Sequence, residues 1–178
     1  RKKVGRGGVV AGINFGLAAH DGKVFVPVSD VPDGRTYDEP ARPGLYALNI
    51  DSGDYVWQAP AVQDVCKDRP GCYPGYSAAI SVTDDYVLAG SNEGYLRAFD
   101  LQSGKVLWEF DTTESFLAVD GRQASGGSIG GGQAPLVVGD RIILNSGYAF
   151  AGKMPGNALL VLRTKQDPQS TLTLSSER

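Results

Sequence analysis

The feature that most restricts this chain is an internal repeat. The segment Leu45-Tyr46-Ala47-Leu48-Asn49-Ile50-Asp51-Ser52-Gly53-Asp54-Tyr55-Val56-Trp57 lies over Leu96-Arg97-Ala98-Phe99-Asp100-Leu101-Gln102-Ser103-Gly104-Lys105-Val106-Leu107-Trp108 at a constant offset of 51 residues. Both copies read Ala-x-Asn/Asp-x-x-Ser-Gly-x-x-x-Trp, which predicts a strand, a tight turn at Ser-Gly and a returning strand that carries the indole. A strand-like run precedes each copy, at Val24-Phe25-Val26-Pro27-Val28-Ser29 and Tyr86-Val87-Leu88-Ala89-Gly90-Ser91. A third run stands at Arg141-Ile142-Ile143-Leu144-Asn145-Ser146. Turn signals introduce all three: Asp21-Gly22, Thr83-Asp84-Asp85 and Gly139-Asp140. Before those turns lie small-residue strands at 17–19, 77–80 and 133–138.

Four strands per unit and a period near 50 are what a β-propeller blade requires, because each twisted sheet buries its faces only against its neighbours. Small residues suit the innermost strand, where wedge-shaped blades crowd the axis; Trp suits the wider rim. The expected fold is therefore all-β, with three blades at about 8–57, 73–108 and 126–162 and a C-terminal tail at 163–178. Glycine agrees with this. Its 24 residues of 178 are about 13% of the chain against a usual ~7%, as many tight turns demand. Three blades do not close a ring, which needs four to eight. The chain opens Arg1-Lys2-Lys3 with no initiator Met, and is expected to be three blades of a ring of seven or eight.

Seventeen Lys and Arg against 20 Asp and Glu leave a net charge of -3, so a nucleic-acid surface is not expected. No apolar run approaches the ~20 residues of a membrane span. Cys66 and Cys72 flank Lys67-Asp68-Arg69-Pro70-Gly71. With a single His in the chain, a zinc site is disfavoured. A local disulfide across the Pro-Gly turn is favoured over two thiols tucked under a loop, and it points to an oxidising compartment, periplasmic or secreted.

The Ala-x-Asp-x-x-Ser-Gly-x-x-x-Trp repeat resembles the tryptophan-docking motif of quinoprotein alcohol dehydrogenases. Further stretches narrow the likeness: Gly7 to Gly16, the Cys66/Cys72 loop, Gly126-Gly127-Ser128-Ile129-Gly130-Gly131-Gly132, Asn145-Ser146-Gly147-Tyr148, and Met154-Pro155-Gly156-Asn157-Ala158-Leu159-Leu160. Together they resemble the C-terminal part of polyvinyl-alcohol-dehydrogenase-like quinoproteins. The resemblance implies pyrroloquinoline quinone near the axis, Ca²⁺ on its oxygens, and oxidation of an alcohol to a carbonyl with electrons passed to cytochrome c. The adjacent Cys-Cys pair and the Cys-x-x-Cys-His of better-known relatives are missing from this sequence. By itself the piece is expected to be inactive, since a ring cofactor is gripped by most blades.

Residues just before the innermost strands face the axis in such a fold. The candidates for the quinone are accordingly Asn14, Phe15, Tyr76, Ser128 and Gln133, with Arg122 as a charged partner. Phe15 is the candidate stacking ring; its plainer alternative is inter-blade filler. Asn14 and Gln133 carry amide groups for a cation or for quinone oxygens, against a role in tying down their own turns. Asp111, Glu114 and Asp120, between the second and third blades, are the carboxylates available as base or cation ligand. Asn49 and Asp100 are expected to hold the Ser-Gly turns, and His20 to face solvent. Two non-catalytic readings compete: a scaffold propeller of the outer-membrane assembly type, and a sugar- or polymer-binding propeller using Tyr73, Tyr76 and Tyr148.

Overall fold

A computed structural model describes residues 1–165 and 173–175. Three four-stranded antiparallel sheets follow one another along the chain, each in simple sequential order. The first holds β1 (Ala18–His20), β2 (Lys23–Val28), β3 (Gly44–Asn49) and β4 (Tyr55–Pro60). The second holds β5 (Ser81–Val82), β6 (Tyr86–Gly90), β7 (Tyr95–Asp100) and β8 (Val106–Asp111). A hairpin of β9 (Ser115–Leu117) and β10 (Gln123–Ser125) leads to the third, made of β11 (Leu136–Val138), β12 (Arg141–Ser146), β13 (Ala158–Lys165) and β14 (Thr173–Ser175). This is the expected all-β, propeller-type arrangement. Two details differ from the sequence reading. The inner strand of the second sheet is Ser81–Val82, one step beyond the 77–80 segment, whose residues are instead buried between sheets. The third sheet also continues past residue 162, since β13 reaches Lys165 and pairs with Thr173–Ser175.

The repeat explains its own geometry. Ala47 lies opposite Trp57 and Ala98 opposite Trp108, and in each pair of strands the register shifts immediately after that Ala. Asn49 Oδ1 accepts the backbone N–H groups of Asp51 and Ser52, both at 2.9 Å. Asp100 Oδ1 likewise accepts Gln102 N–H at 3.2 Å and Ser103 N–H at 2.7 Å. The glycines then take left-handed backbone, Gly53 at φ +74° and Gly104 at φ +68°, where a Cβ is strained. So the motif is a capped turn with an indole at the third residue of its second strand.

Stacking of the sheets follows from period two. Val87, Ala89 and Phe99 of the second sheet face Phe25, Leu45, Ala47 and Trp57 of the first. Their alternates, Tyr86, Leu88, Leu96 and Ala98, face Ile142, Leu144 and Leu162 of the third. Because both its faces are covered, all five residues of β6 are buried. Among the described residues the third sheet has no further neighbouring sheet, and every residue of β11 is exposed. Trp57 bridges the first interface, donating from Nε1 to the Leu101 carbonyl at 3.1 Å with its ring against Gly104. Trp108, its counterpart, packs onto the second interface.

Backbone hydrogen bonds tie the sheets at one end of the stack. Tyr76 N–H donates to Val28 O at 3.0 Å, Asn92 N–H to Gly75 O at 2.8 Å and Ile129 N–H to Ser91 O at 3.0 Å. The segments entering the inner strands thus meet the β2–β3, β6–β7 and β12–β13 connections.

Candidate functional site

At that end a polar track runs through otherwise apolar packing. Lys153 Nζ donates to Ser77 Oγ at 3.2 Å, Ser77 Oγ to Asn92 Oδ1 at 2.7 Å, and Asn92 Nδ2 to Ser29 Oγ at 3.2 Å. Ser128 Oγ donates to the Asn92 carbonyl and accepts the Met154 N–H at 3.0 Å. All five side chains are buried; Lys153 is only 4% exposed. Lys153 makes no ion pair among the described residues. Desolvation lowers its pKa, because burial disfavours the ammonium when no carboxylate offsets it. Its Nζ stands 6.0 Å from the centre of the Tyr148 ring. Phe15 meets the same ring edge-on at 6.1 Å, and Gly130 lies flush against it, where a Cβ would collide with the ring. Beside Phe15, Asn14 Nδ2 donates weakly to Val9 and Ala11 carbonyls at 3.4 and 3.5 Å, while its buried Oδ1 accepts nothing.

Of the residues expected from the sequence, Asn14, Phe15 and Ser128 thus stand in or beside this group. Gln133 is exposed close by in the chain, two residues beyond Gly131. Tyr76 does not offer its ring: it is 3% exposed within the core of the first two sheets, edge-on to Phe99. Burial pushes its phenol far above the usual range. Arg122 is exposed and bonded to Asp120, Nε to Oδ2 at 2.7 Å, and that bond lowers the Asp120 pKa. Asp111 Oδ1 accepts from Thr113 N and Oγ1 at 2.8 and 2.7 Å, closing its own turn. Glu114 is exposed. His20 is partly exposed, its Nε2 4.0 Å from Asp84.

Sequence reasoning passed over Lys153, Ser29, Ser77 and Asn92. A lone Lys between Gly152 and Met154 in a Gly/Pro-rich stretch was the available signal. It also missed a buried ion pair: Arg97 Nη1 lies 2.6 Å from Glu93 Oε1, with the two side chains 7% and 0% exposed. Arg97 Nη1 further donates to Tyr76 Oη at 3.1 Å, and its Nε to Glu109 Oε2 at 3.0 Å. The signal there is Arg97 occupying the strand position that Tyr46 fills in the other copy of the repeat.

Cys66 and Cys72 form a disulfide with Cα atoms 5.5 Å apart. Next to it, Gly71 lies against the backbone of Gly152, Lys153 and Met154, where a Cβ would stand only 2.7–3.1 Å away. The disulfide loop therefore seats the turn that carries Lys153. No group of three or more His, Cys, Asp or Glu suited to a metal ion occurs among the described residues, and no helix among them is long and apolar enough to cross a membrane.

These sheets, their docked indole and the end-on polar face define a propeller of the quinoprotein type. The chain belongs to the family described as "Outer membrane protein assembly factor BamB", which it matches over residues 3–166. It is 38% identical over 159 residues to a polyvinylalcohol dehydrogenase of Pseudomonas sp and 36% identical over 151 residues to that of Sphingopyxis sp. (strain 113P3). The matches cover 88% and 83% of this chain but 24% and 23% of those proteins; the chain spans about a quarter of their length. A solved quinohemoprotein alcohol dehydrogenase from Comamonas testosteroni shares the fold, with a TM-score of 0.55 at 19% identity over 86% of this chain and 19% of that one. Resemblance to polyvinyl-alcohol-dehydrogenase-like quinoproteins is thereby shown.

Proposed function

We propose that this chain supplies three blades of a pyrroloquinoline-quinone-dependent alcohol dehydrogenase acting on a secondary alcohol or polyvinyl alcohol. The observation that carries the proposal is the 38% identity to a polyvinylalcohol dehydrogenase over 159 residues, a stretch long enough to take in the polar face as well as the docking repeats. The scaffold reading has the family's description in its favour. Against it stand the two dehydrogenase relatives and a buried amine with no counter-charge, which a purely structural propeller has no need of.

The residues present fit an oxygen-rich planar anion. Lys153 is a buried cation without a carboxylate partner, Asn14 Oδ1 is a buried acceptor without a donor, and Phe15 and Tyr148 offer flat apolar surface. When bound, the quinone would accept the electrons and hydrogen of the alcohol. The chain's own contribution is binding and orientation: the Lys153–Ser77–Asn92–Ser29 track fixes the direction of each donor, and the aromatic wall excludes water from that side. No group of three or more His, Cys, Asp or Glu suited to a metal ion occurs among the described residues; in this reading the cation, cytochrome c as electron acceptor and the catalytic base involve the remaining blades and their partners. A periplasmic or secreted location agrees with the disulfide.

Reconstitution of the full-length protein with pyrroloquinoline quinone and Ca²⁺ tests this reading. Quinone-dependent dye reduction with secondary alcohols and polyvinyl alcohol is expected, with sub-millimolar quinone affinity only in the full-length protein. Absence of quinone binding by that protein would remove the dehydrogenase reading in favour of the scaffold.

A further inference from the structure

We infer that Lys153 is the cationic anchor of the quinone site, gripping a carboxylate or carbonyl oxygen of the ring system, with Tyr148 as the wall beside it. This rests on the dehydrogenase reading and adds to it a residue for the charged contact.

Burial of a lysine at 4% exposure is costly unless something compensates the charge. The other deeply buried cation of the chain, Arg97, has Glu93 at 2.6 Å; Lys153 has a neutral hydroxyl, Ser77 Oγ, at 3.2 Å. Ser77 in turn donates to Asn92, so its hydroxyl lone pairs point back to the amine and hold it in one direction. One of the three ammonium protons is thereby used. The Tyr148 ring, which also receives Phe15, has its centre 6.0 Å from the amine.

Three independent features hold the amine in place. The Met154 N–H beside it is anchored on Ser128 Oγ at 3.0 Å. Gly71, one residue from the disulfide, abuts the 152–154 backbone from the other side. Ala151, two residues before the lysine, takes a left-handed φ of +57°, a conformation that persists in a non-glycine residue only where its surroundings impose it. A rigid, desolvated, uncompensated cation beside an aromatic wall is what charge-assisted recognition of an anionic oxygen requires. Asn14 Oδ1, next to Phe15 in the chain, buried and without a donor, would take a hydrogen from the ligand's ring nitrogen or hydroxyl.

The test uses the full-length protein and pyrroloquinoline quinone, with binding read by quenching of tryptophan fluorescence and by calorimetry, without turnover. Lys153→Met keeps the length of the side chain and removes only the charged donor; affinity is expected to fall about 30-fold, the loss of one charge-assisted hydrogen bond. Lys67→Met, on the exposed part of the disulfide loop, is expected to bind as the unaltered protein does. Ser77→Ala, which frees the amine without removing it, is expected to lose a few-fold and gives the answer if Lys153→Met does not fold. Equal affinity of the unaltered, Lys153→Met and Ser77→Ala proteins would overturn the anchor and leave the dehydrogenase reading standing. No quinone binding by the unaltered protein would overturn both.

Discussion

Gly53 and Gly104 occupy the same place in the two copies of the repeat, with the same left-handed backbone, but their surroundings differ. A Cβ at Gly104 would stand 2.5 Å from the Trp57 ring, whereas at Gly53 the nearest atom is the Lys2 Cβ at 3.9 Å. Both glycines carry the backbone penalty of replacement, about 1–2 kcal/mol for an L-residue in the left-handed region; only Gly104 adds a collision with a docked indole, worth about 1–3 kcal/mol more. Urea unfolding of the two Gly→Ala variants is expected to show Gly104→Ala as the more destabilised by about that margin. Equal midpoints would mean that Trp57 is not seated on this turn. A second contrast concerns Arg97. Arg97→Met leaves the fully buried Glu93 without its cation, and is expected to destabilise by about 3–5 kcal/mol. Adding Glu93→Gln should recover most of that loss, and a double variant no better than the single one would remove the pair as the cause.

Among the structural elements, the 66–72 loop links the redox state of the protein to its polar face. A bridge that closes so short a loop restricts the unfolded chain modestly, so the Cys66→Ser/Cys72→Ser variant is expected to lose about 2 kcal/mol by denaturant midpoint. Thiol titration of the unreduced, denatured protein should find no free cysteine; two reactive thiols would contradict the bond. The Arg69 guanidinium also spans from this loop to Thr113 Oγ1 at 3.2 Å, so loosening the bridge slackens the junction between the second sheet and the β9–β10 hairpin. The hairpin itself was not evident from the sequence, because 115–125 mixes acidic, small and apolar residues without the alternation that marked the other strands.

For the molecule as a whole, the outer face of the third sheet decides the behaviour in solution. Leu136, Val138, Leu159 and Val161 are 44%, 61%, 72% and 52% exposed. Cross-strand pairing sets Leu136 opposite Ile143 and Ile143 opposite Val161, with Leu159 two residues along the same strand face. A contiguous apolar sheet face of this kind favours association. In light scattering the isolated chain is expected to show a mass above 18.8 kDa, and Val161→Glu with Leu159→Glu should restore the monomer. A monomeric unaltered chain at high concentration would count against the open face. In the first sheet Asp30, next to Ser29, holds residues 6–12, accepting the N–H groups of Arg6 at 3.2 Å and Gly12 at 2.7 Å as well as that of Arg42 at 2.8 Å. The outer face of that sheet is consequently better covered.

The repeat was legible because its chemistry is local: within thirteen residues it holds the capping side chain, the left-handed glycine and the indole, and each acts on its own hairpin. Period-two alternation and turn residues then sufficed for β2, β3, β6, β7 and β12, and the short Cys66–Cys72 spacing for the bridge. Which residues meet at the polar face is a different kind of information. Lys153 and Ser77 are 76 positions apart, and Asn92 and Ser29 are 63 apart; they come together only because three sheets stack in register. Tyr76 shows the same limit in reverse, since its place before an inner strand resembles that of Phe15. The second sheet is sandwiched and draws the Tyr76 ring into the core, whereas the edge position of the first leaves Phe15 open. Local turn and strand preferences are read from neighbouring residues, but burial and the partner of a charge depend on what the other sheets place against them.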